Sequence, residues 1–179
     1  MNVNDILNKA LELLGIGDAT VAADTTDERV LKLLSALGVT YLRLITEYAP
    51  LEREEEITVD GGTYDLTHLS ENVFDVARLS DQSGAARHFR LRGKTLLAED
   101  GTYVLRYYAL PSAYPAIGGT VEVSMQIPLD LIARGVAAEY ALSGMMYEES
   151  LLHERKYKEG LRKALTPHAA KCLPVKRWI

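Results

Sequence analysis

The apolar residues of this chain change period twice. They recur at helical spacing as far as Tyr48, alternate at strand spacing through the stretch from Glu56 to Leu110, and return to helical spacing from Pro128 to Leu165. A stripe with a 3.6-residue period cannot be buried by a strand, nor a period of two by a helix. The order must therefore be helix, helix, strands, helix, helix. Because two helical stretches flank the strands, the simplest packing is a four-helix bundle with an inserted small antiparallel β-sheet domain, an α+β fold with an extended C-terminal tail. The spacing predicts a folded unit over 1–166, with helices over 3–15, 26–48, 128–146 and 149–165 and the β insertion over 55–110. The tail is 167–179.

Local signals agree with this division. Val3, Ile6, Leu7, Ala10, Leu11, Leu13 and Leu14 form the first stripe, Asn2 or Asn4 is placed to cap it, and Gly15 and Gly17 end it. Thr25-Thr26-Asp27-Glu28 matches a capping box in front of a long second helix, whose stripe runs Val30, Leu33, Leu34, Leu37, Tyr41, Leu44, Ile45, Tyr48 before Pro50. A short loop between these helices predicts an antiparallel pair. Asp60-Gly61-Gly62 joins Glu56–Val59 to Thr63–Leu66 as a hairpin. Val73–Leu79, Arg87–Leu91, Thr95–Ala98 and Thr102–Leu110 are further strands of one small sheet or barrel-like layer. Arg90, Arg92 and Arg106 alternate there with Phe89, Leu91, Leu105 and Tyr107, as one packed and one wet face requires. Pro128 suits a first helical turn, and Ala133, Gly135, Ala137, Ala138, Ala141 and Gly144 let another helix approach closely. The last helix has Leu151, Leu152, Tyr157, Leu161 and Leu165 as its apolar residues, and Pro167 stops it.

Charge divides the chain differently. The net charge is −5, but from Arg155 to Ile179 eight bases face one acid, so that stretch carries +7 and the rest −12. An acidic body disfavours nucleic acid as a tightly held ligand. The single cysteine, Cys172, excludes an internal disulfide framework and a Cys-based zinc site, which fits a reducing compartment or no dependence on one. No apolar run is long enough to span a bilayer, and Asp5, Lys9 and Glu12 interrupt the opening stretch where a signal peptide would need an apolar core.

Residues with catalytic potential do not assemble into a motif. His68, His88, His153 and His168 are far apart, with no metal-ligand spacing on a helix, so they read as surface or hydrogen-bonding histidines. Gly61-Gly62 and Gly118-Gly119 lack the Lys-Ser/Thr of a phosphate loop and read as turns. Cys172, next to Lys171 and near His168, has nothing to hold a base beside it. The acidic run Glu52, Glu54, Glu55, Glu56 reads as a solvated strand entry rather than a cation site. The expectation is a protein without enzymatic activity, cofactor or metal.

The tail carries more information. Leu173, Val175, Trp178 and Ile179 are large and apolar, Pro174 breaks regular structure, and Lys171, Lys176 and Arg177 make the segment basic. Such a segment is either a frayed end or a partner-docking peptide, since Trp and Arg are enriched at interface hot spots and an extended end can fill a groove or add to a sheet edge. Its charge suits an acidic partner, including the acidic body of a neighbouring copy.

The opening Ile6-Leu7-Asn8-Lys9-Ala10-Leu11-Glu12-Leu13-Leu14-Gly15-Ile16 resembles the "LINxALxxLGV" start of the head-to-tail adaptor (connector, or head-completion) proteins of tailed bacteriophages. Glu56–Val59, Gly61-Gly62 and Tyr64-Asp65-Leu66 resemble that family's "F-x-L-x-x-G-x-x-x-Y-x-L" hairpin. Val73–Leu79 is similar to its next strand, and Ile127-Pro128-Leu129 to the "L-P" opening its third helix. The resemblance covers roughly residues 3 to 165 and lies in the order of degenerate motifs. It implies a structural virion protein, assembled in the host cytoplasm, that forms a ring, typically of twelve, beneath the portal and extends the DNA channel. Its implied partners are the portal ring, its own copies, a downstream tail or neck protein, and genomic DNA that passes without specific binding; no membrane is involved. It also implies portal docking by Leu173, Pro174, Val175, Lys176, Arg177, Trp178 and Ile179. The helices Pro128–Gly144 and Thr26–Tyr48 are candidates for subunit contacts, and an acidic body suits a channel lining that repels phosphate. The alternatives are a tail-completion or tail-terminator ring protein, a cellular ligand- or protein-binding module, and an enzyme of unrecognised type.

Overall fold

Helix ends and turns are set by identifiable side chains in the computed structural model, which describes residues 1–22, 25–123 and 127–165. Helix α1 (Val3–Leu13) starts where the Asn2 side chain accepts the Asn4 amide at 2.8 Å. It ends as the Ile16 amide reaches back to the Leu11 carbonyl at 3.0 Å. That closure needs a left-handed residue, which Gly15 supplies at φ +69°. Asn4 does not cap; its side chain accepts the Gly118 amide instead, at 2.8 Å.

Helix α2 (Glu28–Arg43) departs from the expected capping box. Asp27 is the cap, accepting the Arg29 amide at 2.8 Å, while Thr25 accepts only the Asp27 amide, at 3.3 Å. A carboxylate outcompetes a hydroxyl at the positive end of a helix, and the Arg29 guanidinium holds it there while also gripping Asp18 at 2.9 Å. The helix does not continue unchanged to Tyr48. Leu44–Tyr48 is a π-helical turn, closed by the Ala49 amide on the Leu44 carbonyl at 2.8 Å, and the Thr46 hydroxyl occupies the Leu42 carbonyl at 2.9 Å.

Helix α3 (Leu129–Ser143) is the hub of the helical layer. Pro128 precedes it in extended conformation, as cap rather than first turn. Leu131, Ile132, Ala133, Gly135, Val136, Ala137, Ala138 and Ala141 are buried, which takes in all sides of the helix, and α3 packs against α1, α2 and the last helix, α4 (Tyr147–Leu165). The expected α1–α2 pair is therefore not the organising contact: both helices lean on α3, whose small side chains admit them. In α4 the buried residues are Ser150, His153, Tyr157 and Leu161, so the expected apolar face holds at Tyr157 and Leu161 and fails at Leu151 and Leu152, which are 65% and 51% exposed. The Ser150 hydroxyl donates to the Ala138 carbonyl at 2.9 Å, and Tyr157 lies against Gly135. The fit to α3's small residues, more than hydrophobicity, sets the rotation of α4.

The β insertion runs from Leu51 to Ala109 and forms two three-stranded antiparallel sheets instead of one. In the first, β6 (Gly101–Ala109) is central, between β1 (Leu51–Val59) and β3 (Val73–Ser80); in the second, β5 (Thr95–Leu97) lies between β2 (Thr63–Asp65) and β4 (Arg90–Arg92). Gly61 and Gly62 make the expected turn, at φ +59° and +75°, but β1 and β2 share only the Asp60–Thr63 bridge before diverging into different sheets. The long pairing of β1 is with β6, Leu51 opposite Ala109 through Val59 opposite Gly101. On β6 the expected alternation holds, Leu105 and Tyr107 buried and Arg106 exposed. It fails on β4, an edge strand exposed on both faces, and Arg87 precedes that strand, bound to Asp81. Each layer has its own apolar core, and Ala49 and Leu51 belong to the helical one. Arg53 bridges the layers, bonding Glu71 at 2.8 Å and Glu122 at 2.6 Å, beside the Tyr41 hydroxyl on the Glu122 carbonyl at 2.7 Å. Among the described residues no helix is long and apolar enough to cross a membrane.

Candidate functional site

The docking residues Leu173, Pro174, Val175, Lys176, Arg177, Trp178 and Ile179 lie outside the described residues, as do Cys172 and His168. The two helices expected to meet neighbouring subunits spend their stripes inside the subunit: Val30, Leu33, Leu37, Tyr41, Leu44 and Ile45 of the long helix are buried, as are the small residues of α3 except Gly144. A contact between copies must use other residues.

Uncovered apolar side chains gather instead at the corner where α3 gives way to α4. Leu142, Met145, Met146, Tyr147 and Leu151 are exposed there, Met145 at 76% and in left-handed conformation at φ +59°. Val39 on α2 shares a shallow groove with Met146, and the adjoining cleft between α2, α3 and α4 contains Leu142, Tyr147 and Leu151. Exposed large apolar side chains are ordinary singly; a run of them around one turn marks a contact surface. Methionine suits such a surface because its unbranched thioether adapts to different partners.

Beneath the corner are two buried polar groups that sequence reasoning missed. The His153 Nδ1 and the Tyr157 hydroxyl have no hydrogen-bond partner among the described residues. Burial holds the Tyr157 hydroxyl far above the ordinary phenol range. It also holds the His153 imidazole below its ordinary value, with Arg134 and Lys156 adding to the shift and Glu149 opposing it. The visible signal is only that both fall on the line Ser150, His153, Tyr157, Leu161. His153 should make stability fall in acid. Neutral imidazole is favoured in the folded state, so the contribution is complete above about pH 6.5, the unfolded value, and is lost as pH drops through that value toward the lower folded one. Melting temperatures between pH 7.5 and 5.5 should fall more for the wild type than for His153→Phe, and equal falls would refute this role.

The remaining candidates are structural. His68 stacks edge-on with Tyr64 at 6.2 Å, and His88 is exposed. The acidic run is part of β1 itself rather than its approach: Glu52, Glu54 and Glu56 face solvent, Glu54 pairs with Arg106, and Glu55 accepts the Ser70 hydroxyl at 2.8 Å. The carboxylate of Asp81, driven down to about 2 by the Ser83 hydroxyl and Arg87, clasps a loop. A cleft of about 550 Å³ lies between β3 and the second sheet, but its carboxylates are engaged, Glu71 by Arg53 and Asp75 by the Val76 amide at 2.8 Å. Among the described residues no three His, Cys, Asp or Glu converge as a metal-binding set. Comparison with protein-family models and with curated proteins finds no match for the chain.

Proposed function

We propose that this chain is a ring-forming head-to-tail adaptor of a tailed bacteriophage, a structural virion protein placed beneath the portal. The reading begins from the order and spacing of the motifs that resemble that family. In the structure, the observation that carries it is the exposed apolar corner between α3 and α4. A subunit that closes a ring needs an uncovered face to meet a different face of its neighbour, and this corner leaves Leu142, Met145, Met146, Tyr147 and Leu151 exposed close together. The segment from Leu173 to Ile179 docks on the portal, the ring continues the DNA channel, and a downstream tail or neck protein binds below.

The test is assembly. Purified protein mixed with isolated portal rings of the same virus should form a second ring, expected with twelvefold symmetry, that electron microscopy resolves beneath the portal; particles showing bare portals at saturating protein would sink the reading. The channel makes a separate demand, that DNA pass without adhering. At about 50 mM salt the isolated protein should not retard duplex DNA, because the acidic body repels phosphate. Tight binding that weakens steeply with added salt would reverse that assignment.

A further inference from the structure

We infer that the cleft between α2, α3 and α4 receives the Trp178 side chain of a second copy of this chain. The cleft encloses about 230 Å³, less than the roughly 300–1,000 Å³ of small-molecule pockets, so one large side chain suits it better than a free ligand. Gly135, Ala138, Leu142 and Leu151 give it apolar walls, with Tyr157 buried beneath them. The Tyr157 hydroxyl has no partner among the described residues. A visitor bringing both apolar surface and an N–H donor would bury the first and satisfy the second, and an indole does both.

Charge identifies the visitor. Glu139 and Glu154 stand at the cleft, and Glu148 and Glu149 follow in the first turn of α4, against Arg43, which reaches Glu139 at 3.8 Å, and Lys158, paired with Glu154 at 2.7 Å. The surroundings therefore hold an excess of carboxylate. The only tryptophan of the chain, Trp178, lies in the stretch after Leu165, which carries Lys171, Lys176 and Arg177 and no acid. Helix α4 is thus acidic and apolar where it begins and leads to a basic and apolar segment where it ends. Residues 166 to 178 span at most about 47 Å when extended, so length alone allows a return to the same subunit's cleft. The return path runs back along α4 past Lys163, Arg162, Lys158, Lys156 and Arg155, which repel the basic segment. A neighbouring copy offers the same cleft without that passage. The contact is head-to-tail, so it closes into a ring or continues as a filament. It forms among free subunits, without portal, and competes for Trp178 with the portal docking proposed above.

Because Trp178 is the only tryptophan, its fluorescence reads the contact directly. In the full chain, emission should move to shorter wavelength as protein concentration rises, in step with the sedimentation coefficient. Leu151→Lys, at the exposed mouth, should keep the helical circular dichroism and lose both changes. Tyr157→Phe should melt at a higher temperature, having lost an unpartnered hydroxyl, and yet associate about tenfold more weakly. Water-exposed emission at every concentration would overturn the inference. So would a blue shift independent of concentration, which would place the indole on its own subunit, or undiminished association of either variant.

Discussion

Gly135→Val should lower the free energy of unfolding by about 2–3 kcal/mol, within the range for overpacked cores, and lower the melting temperature by about 5–10 °C for a chain of this size. A Cβ on Gly135 would lie 2.6 Å from Thr40 Cγ2 and 3.0 Å from the Tyr157 ring. Neither neighbour can yield easily. Thr40 is β-branched, 3% exposed and fixed in α2, and Tyr157 is wedged against α3 from α4. Glycine in a helix interior costs about 1 kcal/mol relative to alanine, so a glycine kept there makes room for two crossing helices at once. Gly160 provides the contrast. Its added Cβ would meet the Leu131 Cδ1, the far end of a side chain that can turn away. Gly160→Ala should therefore change stability by no more than about 0.5 kcal/mol, the gain in helix propensity offsetting the adjustment. Chemical denaturation of the two variants measures the difference. Equal effects would mean that α2, α3 and α4 do not meet as closely as described.

The same three helices show what the sequence made legible. Periodicity located all four helices, because each buries a stripe long enough to register: Val3, Ile6, Leu7, Ala10 and Leu11 in α1, Val30 to Ile45 in the second. It misjudged α4, since the rotation of that helix is decided by the contact of Tyr157 with Gly135 and the Ser150 hydroxyl on Ala138, and counting leucines gives no weight to a small residue on the partner. The strands themselves were legible, but their division into two sheets was not, for a related reason. Glycines at Gly61 and Gly62 announce a turn, but whether the flanking strands stay together depends on pairings with residues some fifty positions away, Glu54 with Arg106 and Ile57 with Tyr103. Nothing local records those. The glutamates of β1 hid its first half, because a strand whose outer face is acidic and whose inner Glu55 bonds Ser70 has no apolar alternation to detect. For the site, the apolar corner was hidden because Leu151 and Leu152 were assigned to the interior. The His153 and Tyr157 pair could not be seen until α4 was docked.

On the proposed adaptor reading, removal of residues 171 to 179 should leave the folded body intact and abolish attachment to the portal. The core residues of the described chain run from Val3 to Leu161, so the truncation deletes none of them and cooperative melting should be unchanged. What it deletes is the four large apolar side chains Leu173, Val175, Trp178 and Ile179, with three bases among them. A short segment draws most of its affinity from a few deeply seated anchors. Trp178 is the foremost of these by residue type: Trp178→Ala alone should weaken portal binding by about 30-fold, the 2 kcal/mol of an interface hot spot, whereas Lys176→Ala should act mainly through the association rate and its salt dependence. Sedimentation with portal rings, at matched concentrations of full-length, truncated and Trp178→Ala protein, separates these effects. If the truncated chain still sediments with the portal, the docking role belongs to the folded body, and the corner formed by Met145, Met146 and Tyr147 is the surface to test next.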